Sequence, residues 1–254
     1  MTNDATELKT DAKNDIWLAG LDGCRAGWIA VFIRPQGDDA RVAVISNFSD
    51  VIAAPMPTVI AVDMPIGLPE RTGMGGRAAE NAVRPLLGAR QSSVFSVPSR
   101  QAIYAADYAQ TCAAALATSD PPRKVSKQLF NIGPKIREVD EALRADAALA
   151  SRTFEVHPEV AFWRLNGERP LDEPKKVKSR PYEPGLALRR GLLIAAGLPR
   201  AIVESAQAKG AAPDDLLDAL ACAAIARRIH AGIAEPFPKS PPRDAYGLPM
   251  AIWA

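Results

Sequence analysis

With 254 residues, 48% of them hydrophobic, the chain can fill one large domain, or a core with an insertion, which excludes a disordered or low-complexity protein. Its 31 basic and 29 acidic side chains leave a formal charge of +2, which excludes a charge-driven nucleic-acid tail but leaves room for a local basic groove. No apolar run approaches the roughly 20 residues of a membrane span, and MTNDATELKTDAKND lacks an apolar signal core, so a soluble, cytoplasmic protein is expected.

Residues 1–14 read as a disordered tail and 15–254 as a single domain. IWLAGLD and WIAVFIR are β-rich runs on either side of GCRAG and predict a hairpin; ARVAVISNF predicts a third strand across PQGDD. TVIAV, bounded by prolines, is fully apolar and suits the centre of a sheet. Residues 70–150 change character, with helical patterns in ENAVRPLLGAR, QAIYAADYAQTCAAALA and KIREVDEALRADAALA, broken by loops such as SSVFSVPSR. SKQLFNIGPK, with its Gly-Pro, reads as an ordered loop. RTFEVHP returns to strand and EVAFWRLNG to a short helix. After the basic loop DEPKKVKSRPYEPG come helical runs in LALRRGLLIAAG, PRAIVESAQAKG and APDDLLDALACAAIARR, then a Pro-rich tail. Three hairpin-linked strands, a crossover, a fourth strand and a late fifth strand predict an α/β layer fold with a mixed sheet.

Candidate chemistry gathers on acids. Cys24, Cys112 and Cys222 have no C-x-x-C spacing and read as reduced, packed thiols. With only His157 and His230 available, a metal would take oxygen ligands, which points to magnesium or manganese. The last predicted helix is apolar from Ala219 to Ala226, yet its start carries Asp214, Asp215 and Asp218. Pro213 and Asp214 read as helix start and cap. At about 100° per residue, Asp218 instead falls in line with Ile225 and Ile229, where a carboxylate is costly without a partner. Taken singly, Asp22 in LDGCRAG and Asp63 in VDMPIG each read first as turn residues. Together, at the ends of adjacent central strands and with Asp218 delivered by a helix across the sheet, they make a cluster that a divalent cation would relieve. Glu155 and Glu159 add acids around the fifth strand.

LDGCRAGW, VDMPIGLPER, LGARQSSVFSVPSR, SKQLFNIGPKIREVD, EVHPEVAF and DDLLDALACAAIARR, in that order, resemble the uncharacterised family of predicted RNase H-like nucleases (domain of unknown function 429), over about residues 16–253. The resemblance implies an RNase H-like mixed five-stranded sheet of order 3-2-1-4-5 flanked by helices, with a helical insertion at about 70–150 and metal-dependent nuclease chemistry. The acids also resemble those of RuvC-type junction resolvases, which place acids on strand one, at the end of strand four and in a D-x-x-D-A-L-A helix. That resemblance implies catalytic roles for Asp22, Asp63, Asp215 and Asp218, with Mg2+ or Mn2+ on Asp22, Asp63 and Asp218. That superfamily usually ends strand four in glutamate; Asp63 is shorter, and Glu155 is expected to compensate as a ligand. Arg25, Lys127, Gln128, Lys135, Lys175 and Lys176 are the expected nucleic-acid contacts, although KKVKSR reads equally as a solvated loop. SSVFSVPSR lacks the G-x-S-x-G of a nucleophile elbow. Two other readings stand beside the nuclease: a non-catalytic RNase H-like nucleic-acid or nucleotide binding module, and an actin- or sugar-kinase-like ATPase. The ATPase would need a second such domain and a second Gly-rich phosphate loop.

Overall fold

The computed structural model describes residues 16–53, 55–205 and 209–254. The tail expected at 1–14 lies outside them. The central sheet starts with β1 (Trp17–Cys24), β2 (Gly27–Ile33), β3 (Ala40–Ile45) and β4 (Pro57–Val62), followed much later by β5 (Thr153–Glu155). β1 and β2 are antiparallel with Cys24 opposite Gly27, so the turn is Arg25–Ala26. Asp22 is therefore a strand residue opposite Ile29, not the turn residue that Asp-Gly suggests. β4 runs parallel to β1 and β5 parallel to β4, which gives the expected 3-2-1-4-5 order.

Two further strands extend the sheet to seven. β8 (Pro236–Phe237) and β9 (Ile252–Trp253) come from the Pro-rich tail, and β9 pairs with β5 through Glu155 and Ile252. Two-residue strands are too short to show alternation, so the tail reads as loop in sequence. β6 (Lys176–Val177) and β7 (Arg180–Pro181) turn the basic loop into a small separate hairpin.

Strand alternation divides the core between the two faces of the sheet. Trp17, Ala19 and Leu21 of β1, with Ile60 and Val62 of β4, face a layer drawn from the 70–150 insertion. That layer comprises α2 (Arg100–Ile103), α3 (Tyr108–Thr118), α4 (Lys127–Ala145) and α5 (Ala147–Ser151), while α1 (Ala78–Val83) packs on the other face. α4 replaces the loop expected over SKQLFNIGPK: Ser126 caps it by accepting from Leu129 N, and it continues through Pro134. Leu129 before the proline and Ile136, Val139 and Leu143 after it all join one core, and that burial outweighs the lost backbone hydrogen bond.

Leu18 and Cys24 of β1 and Val59 and Ala61 of β4 face α9 (Pro213–His230). α9 crosses β1, β2 and β4, and α6 (Pro158–Leu165) and α7 (Glu183–Ala195) pack onto it. Enclosure between a sheet and two helices explains why α9 is buried continuously from Leu216 to Ala226. Gly20 sets the spacing, since a Cβ there would lie 2.1 Å from Ala223 N and 2.2 Å from Ala219 O. Glycine on the strand opposite alanines on the helix lets the two backbones meet. The helix expected over PRAIVESAQAKG is shorter, as α8 (Arg200–Val203), and 206–208 of that stretch lie outside the described residues.

Candidate functional site

β1 and β4 run in register with Leu21 beside Val62, and Asp63 N donates to Leu21 O at 2.9 Å. The next residue of each strand, Asp22 and Asp63, then points to the α9 face by the same alternation that sends Leu21 and Val62 to the other. The close approach at Gly20 brings the first turns of α9 over the strand ends. Ligand oxygens of Asp22, Asp63 and Asp218 lie within 4.8 Å of one another. Three elements far apart in sequence thus converge on one point.

Asp22 and Asp218 are buried, and Asp63 is partly exposed at the base of a cleft of about 580 Å3. Burial first, then the charges of Asp63 and Asp218, push the Asp22 carboxyl well above the usual carboxylate range. Desolvation and the Asp218 charge raise Asp63 to about 8. Asp218 rises only to about 6, because Lys175 opposes the effect of burial with its charge and a hydrogen bond. Burial works against the Lys175 ammonium, yet Asp218, Asp22 and Asp63 outweigh it and hold the lysine charged.

The start of α9 departs from the sequence expectation. Ala212 is the N-cap, and Asp215, three residues on, accepts from Ala212 N at 2.8 Å. Asp215 is therefore the acid that closes the helix start, and the N-cap lies two residues before Asp214, the cap that the sequence suggests. Pro213 occupies the first helical position rather than preceding the cap, so Asp214 is the second helical residue. Asp214 is buried instead, with Lys176 Nζ 2.6 Å away. Oδ1 of Asp214 and Oδ1 of Asp218 have no hydrogen-bond partner.

Glu155 lines the same cleft but stands outside the triad. Its carboxylate accepts from Ile66 N at 2.8 Å and from Arg77 Nη2 at 2.6 Å, and Arg77 also pairs with Glu80. Tied to Ile66 and Arg77 and outside the group of three, Glu155 has a structural place rather than the compensating ligand position expected of it. Glu159, the other acid near the fifth strand, pairs through Oε1 with the fully buried Arg189 at 2.5 Å, while Oε2 has no partner. The signal for Arg189 was present, because Leu186, Arg189 and Leu193 share the buried stripe of α7.

Among the expected contacts, Gln128, Lys135, Lys175 and Lys176 line the cleft. Lys135 bonds Gly27 O and sits 4.5 Å from the Trp28 ring centroid. Arg25 and Lys127 do not line it. Arg25 is exposed on the β1–β2 turn, and Lys127 points to Tyr108, its Nζ 5.8 Å from the ring centroid. Charge alone could not tell these lysines and arginines apart.

Residues 20–243 match the model of a family described as protein of unknown function (DUF429). The chain belongs to the DUF429 family. No curated protein and no solved structure matches it. The DUF429 match runs from β1 to just before the last strand and so spans all three acids of the cluster.

Proposed function

We propose that this DUF429 protein is a metal-dependent nuclease of RNase H-like architecture that hydrolyses phosphodiesters of nucleic acid. The observation that carries the reading is the convergence of Asp22, Asp63 and Asp218 within 4.8 Å, each from a different element. The cluster fits a cation: it holds more buried carboxylates than cationic partners, and Oδ1 of Asp218 is buried without a partner. An all-oxygen donor set selects a hard ion, so Mg2+ or Mn2+ would be held by these three acids. When bound, such an ion supplies Lewis-acid polarisation of the phosphoryl oxygens.

The chain's own residues shape the rest. Lys135 and Gln128 on α4 and Lys176 at the hairpin line the cleft walls, where they can grip a phosphate backbone. Phe95, which also lines the cleft, offers an aromatic face for a base. Because the acids lie at the base of the cleft, the reading favours a single strand or frayed end over the interior of a rigid duplex. One sheet of seven strands and one small hairpin among the described residues give no second half to enclose a nucleotide, which weighs against the ATPase.

A non-catalytic binding module is supported by one observation: Lys175 already pairs with Asp218, as in a cluster that needs no ion. A panel of single-stranded, duplex and branched DNA and RNA, incubated with Mn2+ and wild type or Asp22→Asn, separates the two. Cleavage lost in the variant supports the nuclease; binding without cleavage in both supports the module.

A further inference from the structure

Lys175 reaches the acids from a strap that is fixed along its length. Glu173 O accepts from Arg189 Nη1 at 3.0 Å, and Lys175 O accepts from Tyr182 N at 3.0 Å. Pro174 O lies so close to α7 that a Cβ on Gly185 would be 1.9 Å from it. Arg189, itself fully buried, joins this strap to Glu159 on α6. The ammonium is thus delivered to the site by fixed backbone, and its side chain is only 29% exposed.

At the end of that strap, Lys175 Nζ bonds Asp218 Oδ2 and stands 4.0 Å from Asp214 Oδ2. A divalent ion held by Asp22, Asp63 and Asp218 and the Lys175 ammonium would draw on the same carboxylate, and the two like charges repel one another there. We infer that Lys175 is a resident cation of the site, neutralising Asp218 until a divalent ion takes that carboxylate and then turning to a non-bridging oxygen of the substrate phosphate. This rests on the nuclease reading above. The fixed strap confines the released ammonium to the cleft, where Asp214, the carboxylate left beside it, already holds Lys176, so a phosphate oxygen is the partner that restores its lost ion pair. Arg189 and Gly185 act as positioning residues, through the strap and not on the substrate.

The test uses Lys175→Met, with Lys175→Gln in case the first variant does not fold, Lys175→Arg as rescue and Lys176→Met as a control for charge alone. Mn2+ affinity is measured without nucleic acid, from the electron paramagnetic resonance of free Mn2+. Affinity for a single-stranded oligonucleotide is measured by fluorescence anisotropy in Ca2+. Removing the lysine is expected to tighten Mn2+ binding about tenfold and weaken the oligonucleotide about tenfold, a size usual for linked sites. Lys175→Arg should move both values back toward wild type, and Lys176→Met should tighten Mn2+ less. Equal or weaker Mn2+ binding in the lysine-free variants, or undiminished oligonucleotide binding, overturns the inference alone. Wild type that binds no Mn2+ overturns the nuclease reading with it.

Discussion

Two groups of buried acids in this protein have opposite bookkeeping. Asp244 accepts from the backbone N–H groups of Leu68, Tyr246 and Leu248 and from Arg100 at 2.7 Å. Asp140 beside it takes Arg100, Arg144 and the Tyr104 hydroxyl. At the cleft, Asp22, Asp63 and Asp218 share one lysine, and burial, reinforced by the neighbouring carboxylates, pushes Asp22 and Asp63 far above the usual carboxylate range. The first group is a staple that ties the C-terminal segment to α2 and α4. Oδ1 of Asp140 is also buried without a partner, but two arginines serve its group, whereas the second group has three carboxylates on one lysine, and that shortage of positive charge makes it a place for a ligand. Burial alone does not mark a site; burial without enough partners does.

Substitutions at the two groups should therefore fail in different ways. Asp218→Asn or Asp22→Asn should lower Mn2+-dependent cleavage by more than the ~10–100-fold typical of outer-shell partners. The metal-free Asp22→Asn variant should melt at or above the wild-type temperature, since repulsion among the acids is relieved, whereas Asp218→Asn also strips Lys175 of its ion pair and should melt somewhat lower. A clear fall in melting temperature with activity retained would place Asp218 in the structural class.

Asp244→Asn should do the reverse. Loss of the carboxylate leaves Arg100 and buried N–H groups underpaired, which costs about 3–5 kcal/mol for a broken buried pair. For a chain of this length that is on the order of 10 °C in melting temperature, read by calorimetry, with Mn2+ affinity unchanged.

Gly20→Ala should couple the two behaviours. A methyl group with no room between β1 and α9 costs roughly 1–3 kcal/mol, and it moves the Asp218 helix off Asp22. Both melting temperature and Mn2+ affinity should drop; a drop in the first alone would show that the site does not depend on this spacing.

Asp215→Asn should have the smallest effect. It weakens one capping bond to Ala212 N, worth up to about 1 kcal/mol, and leaves Mn2+ affinity near wild type. If Asp215→Asn removes Mn2+ binding, the capping assignment is wrong.

How much of this was legible follows from the length of each signal. The β1, β2 and β4 runs are long and apolar, and the chain order of hairpins and crossover left few topologies, so the 3-2-1-4-5 arrangement and the meeting of Asp22 with Asp63 could be read. Asp218 stood out because α9 is apolar on every side. The cap lies two residues before Asp214 because Pro213 itself takes the first helical position, and an alanine cap carries no side-chain signal in the sequence. α4 was half missed because the Gly-Pro rule is local while the burial of Leu129 and Ile136 is not. Glu155 looked like a ligand until its long-range partner Arg77, 78 residues away, was in place.

The central claim is that Asp22, Asp63 and Asp218 form a cation site, and thermal melting with and without millimolar Mn2+ tests it most directly. Wild type should rise by several degrees, since an ion at about 100 times its Kd contributes roughly 2.7 kcal/mol to the folded state. The double variant Asp22→Asn, Asp218→Asn should show no rise. No shift in wild type, or an equal shift in the double variant, would contradict the account.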